Sequence, residues 1–316
     1  MTAGSASHKL GGWELQAAES GDLESGQTME TRFTRRKMLK TLAAAGGGAL
    51  AVGFYTWRIE PHWLELTHRE LPVTGLPREL EGRTLAQLSD LHIGPKVDDA
   101  YIIESFRRVR ELAPDFVVYT GDWITYRGAG QFEQLRRVIE HAPHGRLATV
   151  GILGNHDYGF NWGMVGVAER VAGIVRAAGV TLLRNQVATV AGLQFIGLDD
   201  LWSPMFDPIG VLAQRAKDAA SMVLCHNPDA ADKPVWSEYQ GWILAGHTHG
   251  GQCKPPFLPP PQLPVINKRY TSGEFRLAGK RRMYISRGVG HLLRVRFNVR
   301  PEVAVFRLHR EISSAT

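Results

Sequence analysis

Residues 84–92 read TLAQLSDLH. The run from Thr84 to Leu88 is of the kind that fills a buried strand, and Asp90 and His92 stand just beyond its end. The same arrangement returns four times. Asp122 follows FVVYT (116–120), and Asn155 and His156 follow ATVGIL (148–153). His226 follows MVLC (222–225), and His247 and His249 follow WILA (242–245). Ligands of α/β sheets bind outside the carboxyl ends of the strands. The five strand ends are therefore predicted to meet in one cleft.

Between these strands lie helical patterns. DDAYIIESFRRVREL (98–112) puts Ile102, Phe106, Val109 and Leu112 or Ala113 on one face, with Asp98 or Asp99 as the cap. QFEQLRRVIEHA (131–142) and VGVAERVAGIVRAAG (165–179) read as two more helices. Further strands are predicted in HWLELTHREL (62–71), VTLLRNQ (180–186), VATVAGLQFIGLDD (187–200), RLAGKRRMYISRG (276–288) and EVAVFRLHR (302–310). Strands alternating with helices imply an α/β layered domain. KPPFLPPPQLP (254–264) is a proline-rich loop rather than a linker, because strands continue after it.

The candidate ligands are Asp90, His92, Asp122, Asn155, His226, His247 and His249. They offer carboxylate and amide oxygens and imidazole nitrogens, a set that suits Mn, Fe, Zn, Co or Ni. The two cysteines, Cys225 and Cys253, are too few for a thiolate zinc site or a disulfide scaffold and read as buried small residues. Seven ligands exceed what one tetrahedral ion takes and suit two ions that share a carboxylate. Such a pair, about 3.5–4 Å apart, can hold a bridging hydroxide for in-line attack on a phosphate ester.

The ordered set Asp-x-His (90–92), Gly-Asp (121–122), Gly-Asn-His-Asp (154–157), His226 and Gly-His-Thr-His (246–249) resembles the calcineurin-like metallophosphoesterases over residues 83–310. SDLH, GNHDY, LCHNPD and GHTHGGQ look like the bacterial exported YkuE/YaeI-like branch, which includes some UDP-2,3-diacylglucosamine-type pyrophosphohydrolases. The resemblance implies an α/β fold, a four-layer αββα sandwich of two mixed β-sheets flanked by helices. It implies one metal on Asp90, His92 and His249, the other on Asn155, His226 and His247, and Asp122 as the bridge. Manganese is favoured over iron or zinc. His156 is expected to steady the phosphoryl oxygens or protonate the departing alkoxide, and Asp157 to orient His156 or fix its tautomer. In the protein-phosphatase relatives the Gly-Asp motif leads on to a second Asp and an Arg. Here GDWITYRG (121–128) has Thr125 in place of that Asp and Arg127 displaced by one, so Arg287 or another arginine is expected to meet the phosphate.

Some residues near the motifs stay open. Trp123 and Tyr158 either line the substrate pocket or pack. Asp199 and Asp200 either support the site or cap a turn. Gly250 and Gly251 are expected to let the backbone pass close to the metals, and Cys225 to face away from them. His291, close to Arg287 in sequence, has no settled role.

Residues 1–57 are set apart as a leader. Residues 1–31 read as disordered, and a start at Met29 would give a leader of more usual length. TRRKMLKTLAAAGGGALAVGFYTW (34–57) resembles a twin-arginine signal, with Arg35 and Arg36 ahead of an uncharged run from Thr41. That run is shorter than a typical span of ~20 residues. With no clear cleavage site, it is either cut as a signal or retained as an anchor through residues 38–57. A 58–82 lead-in precedes the 83–310 catalytic domain.

The function expected is a metal-dependent phosphodiesterase or phosphomonoesterase of the periplasm or cell envelope, delivered by the twin-arginine export machinery. A lipid A pathway pyrophosphohydrolase and a non-catalytic, metal-stabilised envelope module are the alternatives. The net charge of +6 favours anionic partners. Nucleic acid is not expected, because no basic stretch carries interleaved aromatics.

Overall fold

The computed structural model describes residues 34–236 and 238–311. The expectations for residues 1–31, including the start at Met29, lie outside them.

Two six-stranded sheets form the centre. The first contains β1 (Glu65–Val73), β2 (Thr84–Leu88), β3 (Phe116–Thr120), β4 (Ala148–Ile152), β5 (Thr181–Leu182) and β12 (Glu302–Arg310). Their order is β1-β12-β2-β3-β4-β5. The second contains β6 (Gln186–Val190), β7 (Leu193–Gly197), β8 (Ser221–Leu224), β9 (Trp242–Ala245), β10 (Gly273–Arg276) and β11 (Arg282–Ile285), in the order β10-β11-β9-β8-β7-β6. Both sheets are mixed. In the first, β12 runs antiparallel to β2, while β2, β3 and β4 run parallel. In the second, β7, β8, β9 and β11 are parallel and β6 and β10 antiparallel.

The strand period of two divides the apolar residues between layers. Leu85, Phe116, Val118, Val150 and Ile152 point inward from the first sheet, against Phe195, Met222, Leu224 and Leu244 of the second. Ala86, Leu88, Val117 and Tyr119 point outward, under α2 (Asp99–Glu111), α3 (Gly130–Ile139) and α4 (Val165–Ala177). Ile102, Phe106 and Val109 of α2 face this layer, as their spacing requires, and Asp98 caps the helix by accepting the Ala100 N–H. On the far side, Ile196, Val223 and Ile243 sit beneath Val211 of the short α5 (Pro208–Ala213) and beneath Ala230, Trp236 and Tyr239. The result is the four-layer arrangement implied above. Burying each large apolar side chain contributes about 1.5–3 kcal/mol.

The 58–82 segment supplies β1, an edge strand paired parallel to β12 from Glu65↔Glu302 to Val73↔Arg310. One apolar stretch divides in two: VATVAGLQFIG makes the hairpin β6–β7, turning at Ala191 and Gly192, both with positive φ.

α1 (Arg35–Phe54) buries none of its residues. A π-turn (Tyr55–Ile59) and a 3-10 turn (Glu60–His62) extend it. The uncharged run is shorter than a typical span, but the helix that carries it is not. The 28 helical residues from Arg35 to His62 are long and apolar enough to cross a membrane.

Candidate metal centre

Each motif sits where a strand stops. Beneath them, buried Gln87 donates to Thr120 Oγ1 at 3.1 Å and to the Ala245 carbonyl at 2.9 Å, tying β2, β3 and β9 together across the two sheets. Past the strand ends the chain turns abruptly. Asp90, His92, Asp122, His247 and His249 all have positive φ, between 48° and 74°. That left-handed region is costly for residues with a Cβ, of order 1 kcal/mol each, and it collects at functional sites.

The seven predicted ligands converge. His92 Nε2 and His249 Nε2 are 2.9 Å apart, and Asp90 Oδ1 lies 3.3 Å from the latter and 3.8 Å from the former. On the other side, His247 Nδ1 lies 3.0 Å from Asn155 Oδ1 and 3.3 Å from His226 Nε2. Asp122 Oδ2 stands between the groups, 3.6 Å from His92 Nε2 and 3.1 Å from His226 Nε2. Asp90, His92 and His249 form one trio whose donor atoms all lie within 4.8 Å of one another; Asp122, His226 and His247 form a second. That spread is about twice a metal–ligand bond of ~2.0–2.2 Å, so each trio could hold one ion.

The imidazoles are held by their outer nitrogens. His226 Nδ1 donates to the Thr120 carbonyl at 2.7 Å, and His247 Nε2 to the Pro264 carbonyl at 2.8 Å. His92 Nδ1 meets Thr125 Oγ1 at 3.0 Å. A carbonyl can only accept, so the bonds to Thr120 and Pro264 place the proton of a neutral His226 or His247 ring outward and leave the other nitrogen to face the cluster; the Thr125 hydroxyl can accept from His92 in the same way.

Electrostatics agree with a cation site. Burial pushes Asp90 up to about 6. Burial alone would also raise Asp122, but His226 and His156 hold its carboxyl well below the usual range. Burial lowers His92 and His249 well below the imidazole range. It would lower His226 too, but Asp122 and Asp90 outweigh it and hold that ring well above the range. The two carboxylates thus demand positive charge at one spot. A proton on His226 answers that demand, and a divalent ion would answer it better.

His156 sits at the rim. Its backbone N–H donates to Asp122 Oδ1 at 2.8 Å, and its ring stands nearly perpendicular to His92, with centroids 5.0 Å apart. Burial keeps it below its ordinary pKa, hence neutral near pH 7. The role expected of Asp157 is corrected. Its two oxygens accept the backbone N–H groups of Gly154 at 2.8 Å and Ile124 at 3.1 Å, so it clamps the GNHD turn instead of orienting the His156 ring.

Arg287 is also corrected. Its guanidinium is paired with Glu302 at 3.1 Å and Glu65 at 2.9 Å, which leaves it poorly placed to grip phosphate. Trp123 packs, donating to the Ile152 carbonyl, and Tyr158 donates to Asp199, which also pairs with Arg184. Asp200 accepts the Trp202 N–H, as a turn residue does. His291 binds the Lys96 carbonyl. Cys225 is buried in the layer beneath α5, whereas Cys253 is partly exposed, and both are free.

The glycines expected to give way to metal lie elsewhere in the motifs. A Cβ on Gly250 or Gly251 would meet Val299 or Pro260, not ligands. On Gly154 it would collide with Asp122, and on Gly246 with Ser89 and Asp90.

Residues 83–251 match the family model described as calcineurin-like phosphoesterase. The chain belongs to the calcineurin-like phosphoesterase family. It is 33% identical over 301 residues to an uncharacterized metallophosphoesterase, YkuE, of Bacillus subtilis, covering 88% of this chain and 98% of the relative. It is 30% identical over 285 residues to the phosphodiesterase YaeI of Escherichia coli, covering 87% and 99%. It is 26% identical over 318 residues to the UDP-2,3-diacylglucosamine pyrophosphatase LpxG of Chlamydia trachomatis, covering 82% and 94%. This calcineurin-like phosphoesterase is a phosphoester hydrolase, and the reading as a non-catalytic metal-stabilised module is set aside.

Sequence reasoning missed three supports of this centre. Thr125 looked like a loss from the motif, yet it holds His92. Arg296 is fully buried, donates to the Arg287, Gly288 and Gly290 carbonyls, and comes within 3.5 Å of His249 Nδ1. Trp202 stands edge-on to the His247 ring at 4.6 Å and stacks on Trp162 at 4.5 Å, making an aromatic wall. None of the three carries a sequence signal, because each depends on a distant partner.

Proposed function

We propose that the chain hydrolyses phosphodiesters or phosphomonoesters at the cell envelope, using two metal ions. Asp90, His92 and His249 would hold one, Asn155, His226 and His247 the other, and Asp122 both. The observation that carries this reading is the placing of Asp122 Oδ2, within 3.6 Å of His92 Nε2 and 3.1 Å of His226 Nε2. When bound, such a pair acidifies water and neutralises the charge on the phosphoryl oxygens. A donor set of oxygens and imidazole nitrogens accommodates manganese, iron or zinc, and manganese is our first choice.

The chain's own residues do the rest. Thr125, the Thr120 carbonyl and the Pro264 carbonyl keep His92, His226 and His247 in their ligating tautomers. His156 reaches the rim, where its neutral ring can donate an N–H to a phosphoryl oxygen; to protonate the leaving alkoxide it must first take up a proton, for example the one released by the attacking water. Asp157 keeps His156 in place through the backbone of its turn.

The catalytic domain is read as 83–310, with residues 58–82 leading in. Arg35 and Arg36 ahead of an apolar helix support twin-arginine export, and the length of that helix supports retention as an anchor. A narrower substrate, a nucleotide-linked acyl sugar cleaved at its pyrophosphate, draws support from the similarity to LpxG.

Metal analysis of the purified full chain, followed by a phosphoester and pyrophosphate panel with Mn, Zn or Fe added back, tests the proposal. About two metal equivalents per chain and metal-dependent turnover are expected. One equivalent or fewer, with turnover indifferent to chelation, refutes it.

A further inference from the structure

The region where the apolar helix meets the body has the composition of a membrane interface. Trp57, Ile59 and Trp63 are about half exposed, and so are Leu293 and Val295 on the loop beside them. That loop is fastened to the helix end: the Arg296 N–H donates to the Thr56 carbonyl at 2.9 Å. Arginines intersperse the apolar residues. Arg58 lies over the Trp57 ring and Arg300 over Trp63, at 5.0 and 4.2 Å, and Arg294 belongs to the same loop as Leu293 and Val295. Glu60 is fully buried and accepts the Val299 N–H, so the exposed acid near His62 is Asp98, whose side chain is engaged in capping α2.

Exposed tryptophans, aliphatic tips and arginines around the end of a spanning-length helix suit the boundary between acyl chains and anionic headgroups. The same loop supports the catalytic centre. Gln252, three residues after His249, donates to the Leu293 and Val295 carbonyls at 2.9 and 3.0 Å, and Arg296 reaches His249.

We propose that Trp57, Trp63, Leu293 and Val295, with Arg58, Arg294 and Arg300, form a docking surface for an anionic lipid bilayer. The body is held against the membrane at the edge of its catalytic centre rather than dangling from its anchor. This rests on the reading of residues 35–62 as a retained anchor, and it deepens that reading by assigning the 291–300 loop to the bilayer.

The test uses the full chain with C253S, labelled with bimane at one introduced cysteine and reconstituted in 7:3 phosphatidylcholine:phosphatidylglycerol vesicles, with or without brominated acyl chains. L50C reports the anchor, and L293C and V295C report the docking surface. A278C, in the β10–β11 turn at the end of the strands away from the motifs, is the control. Brominated lipid is expected to quench L50C, L293C and V295C and to leave A278C bright, whereas aqueous iodide quenches only A278C. Replacing Arg58 and Arg294 with serine is expected to reduce the quenching at L293C but not at L50C.

Quenching at L50C with L293C and V295C as iodide-sensitive as A278C leaves the anchor intact and overturns the docking. Shielding of L293C from both quenchers means that protein covers the surface, a second copy included, and also overturns it. An unquenched L50C removes the anchor and the docking together.

Discussion

Thr125→Val isolates the support of one ligand without touching the ligand itself. Thr125 Oγ1 lies 3.0 Å from His92 Nδ1, and the His92 ring is wholly buried. Valine keeps the volume but cannot accept the N–H, so a buried donor is left unpaired at a cost of about 1–3 kcal/mol. The cost falls on the tautomer that presents Nε2 to the cluster. Converted at 1.36 kcal/mol per decade, it predicts roughly a 5- to 150-fold loss of metal affinity, which brackets the roughly 10–100-fold typical when such supports are removed. The assay is titration of the metal-stripped chain with Mn, read by hydrolysis of a chromogenic phosphodiester. The valine variant should need more Mn to reach half-maximal rate and should approach the parent rate at saturation. Thr125→Ser, which keeps the hydroxyl, should titrate like the parent. A valine variant with the parent's Mn dependence would refute the claim that this hydroxyl sets the His92 tautomer.

Three further outcomes follow from the same geometry. His156→Ala should retain its metal content and lose about 10²–10⁴ in turnover; unchanged turnover would remove His156 from the chemistry. Gly246→Ala drives a methyl into Ser89 and Asp90 and should cost about 1–3 kcal/mol of stability, so an urea midpoint equal to the parent's would show that the strand ends are looser than described. Burial and then Arg296 push His291 down to about 4 from an ordinary 6.5, so the stability it contributes is full above pH 6.5 and is lost as pH falls toward 4. Between pH 7 and 5 that loss is about 2 kcal/mol. His291→Gln should show a smaller drop in urea denaturation at pH 5, and an equal drop would clear His291 of the effect.

What the sequence made legible was whatever is repeated or ordered along the chain. TLAQL, FVVYT, ATVGI, SMVL and WILA are short apolar runs, and each ends in ligand-type residues, so both the strands and the cleft could be read. Long-range pairing could not. Nothing in ELTHRELPV says that it lies parallel to residues 302–310, since a period-two pattern fits any neighbour. Arg287 misled because a guanidinium near a motif looks like a phosphate grip, while its true partners, Glu65 and Glu302, are distant in sequence or on another strand. Asp157 misled because proximity in sequence to His156 says nothing about which way a carboxylate turns.

The backbone at the ligands is the feature hardest to foresee, and it bears on why the motifs have the residues they do. Five of the seven ligands sit at positive φ. Asp and His tolerate that region better than β-branched residues do, but it still costs of order 1 kcal/mol per residue. The return is geometric. A strand that continued straight would send alternate side chains to opposite faces, so Asp90 and His92, two apart, would share a face but lie on parallel lines about 6–7 Å apart. Turning the chain left-handed at both brings Asp90 Oδ1 within 3.8 Å of His92 Nε2. The same device at His247 and His249 sends one ring to Asn155 and His226 and the other to Asp90 and His92. One dipeptide spacing, His-Thr-His, thereby serves both trios, and the strain is held by Gln87, Arg296 and the glycines that let the strand ends close together.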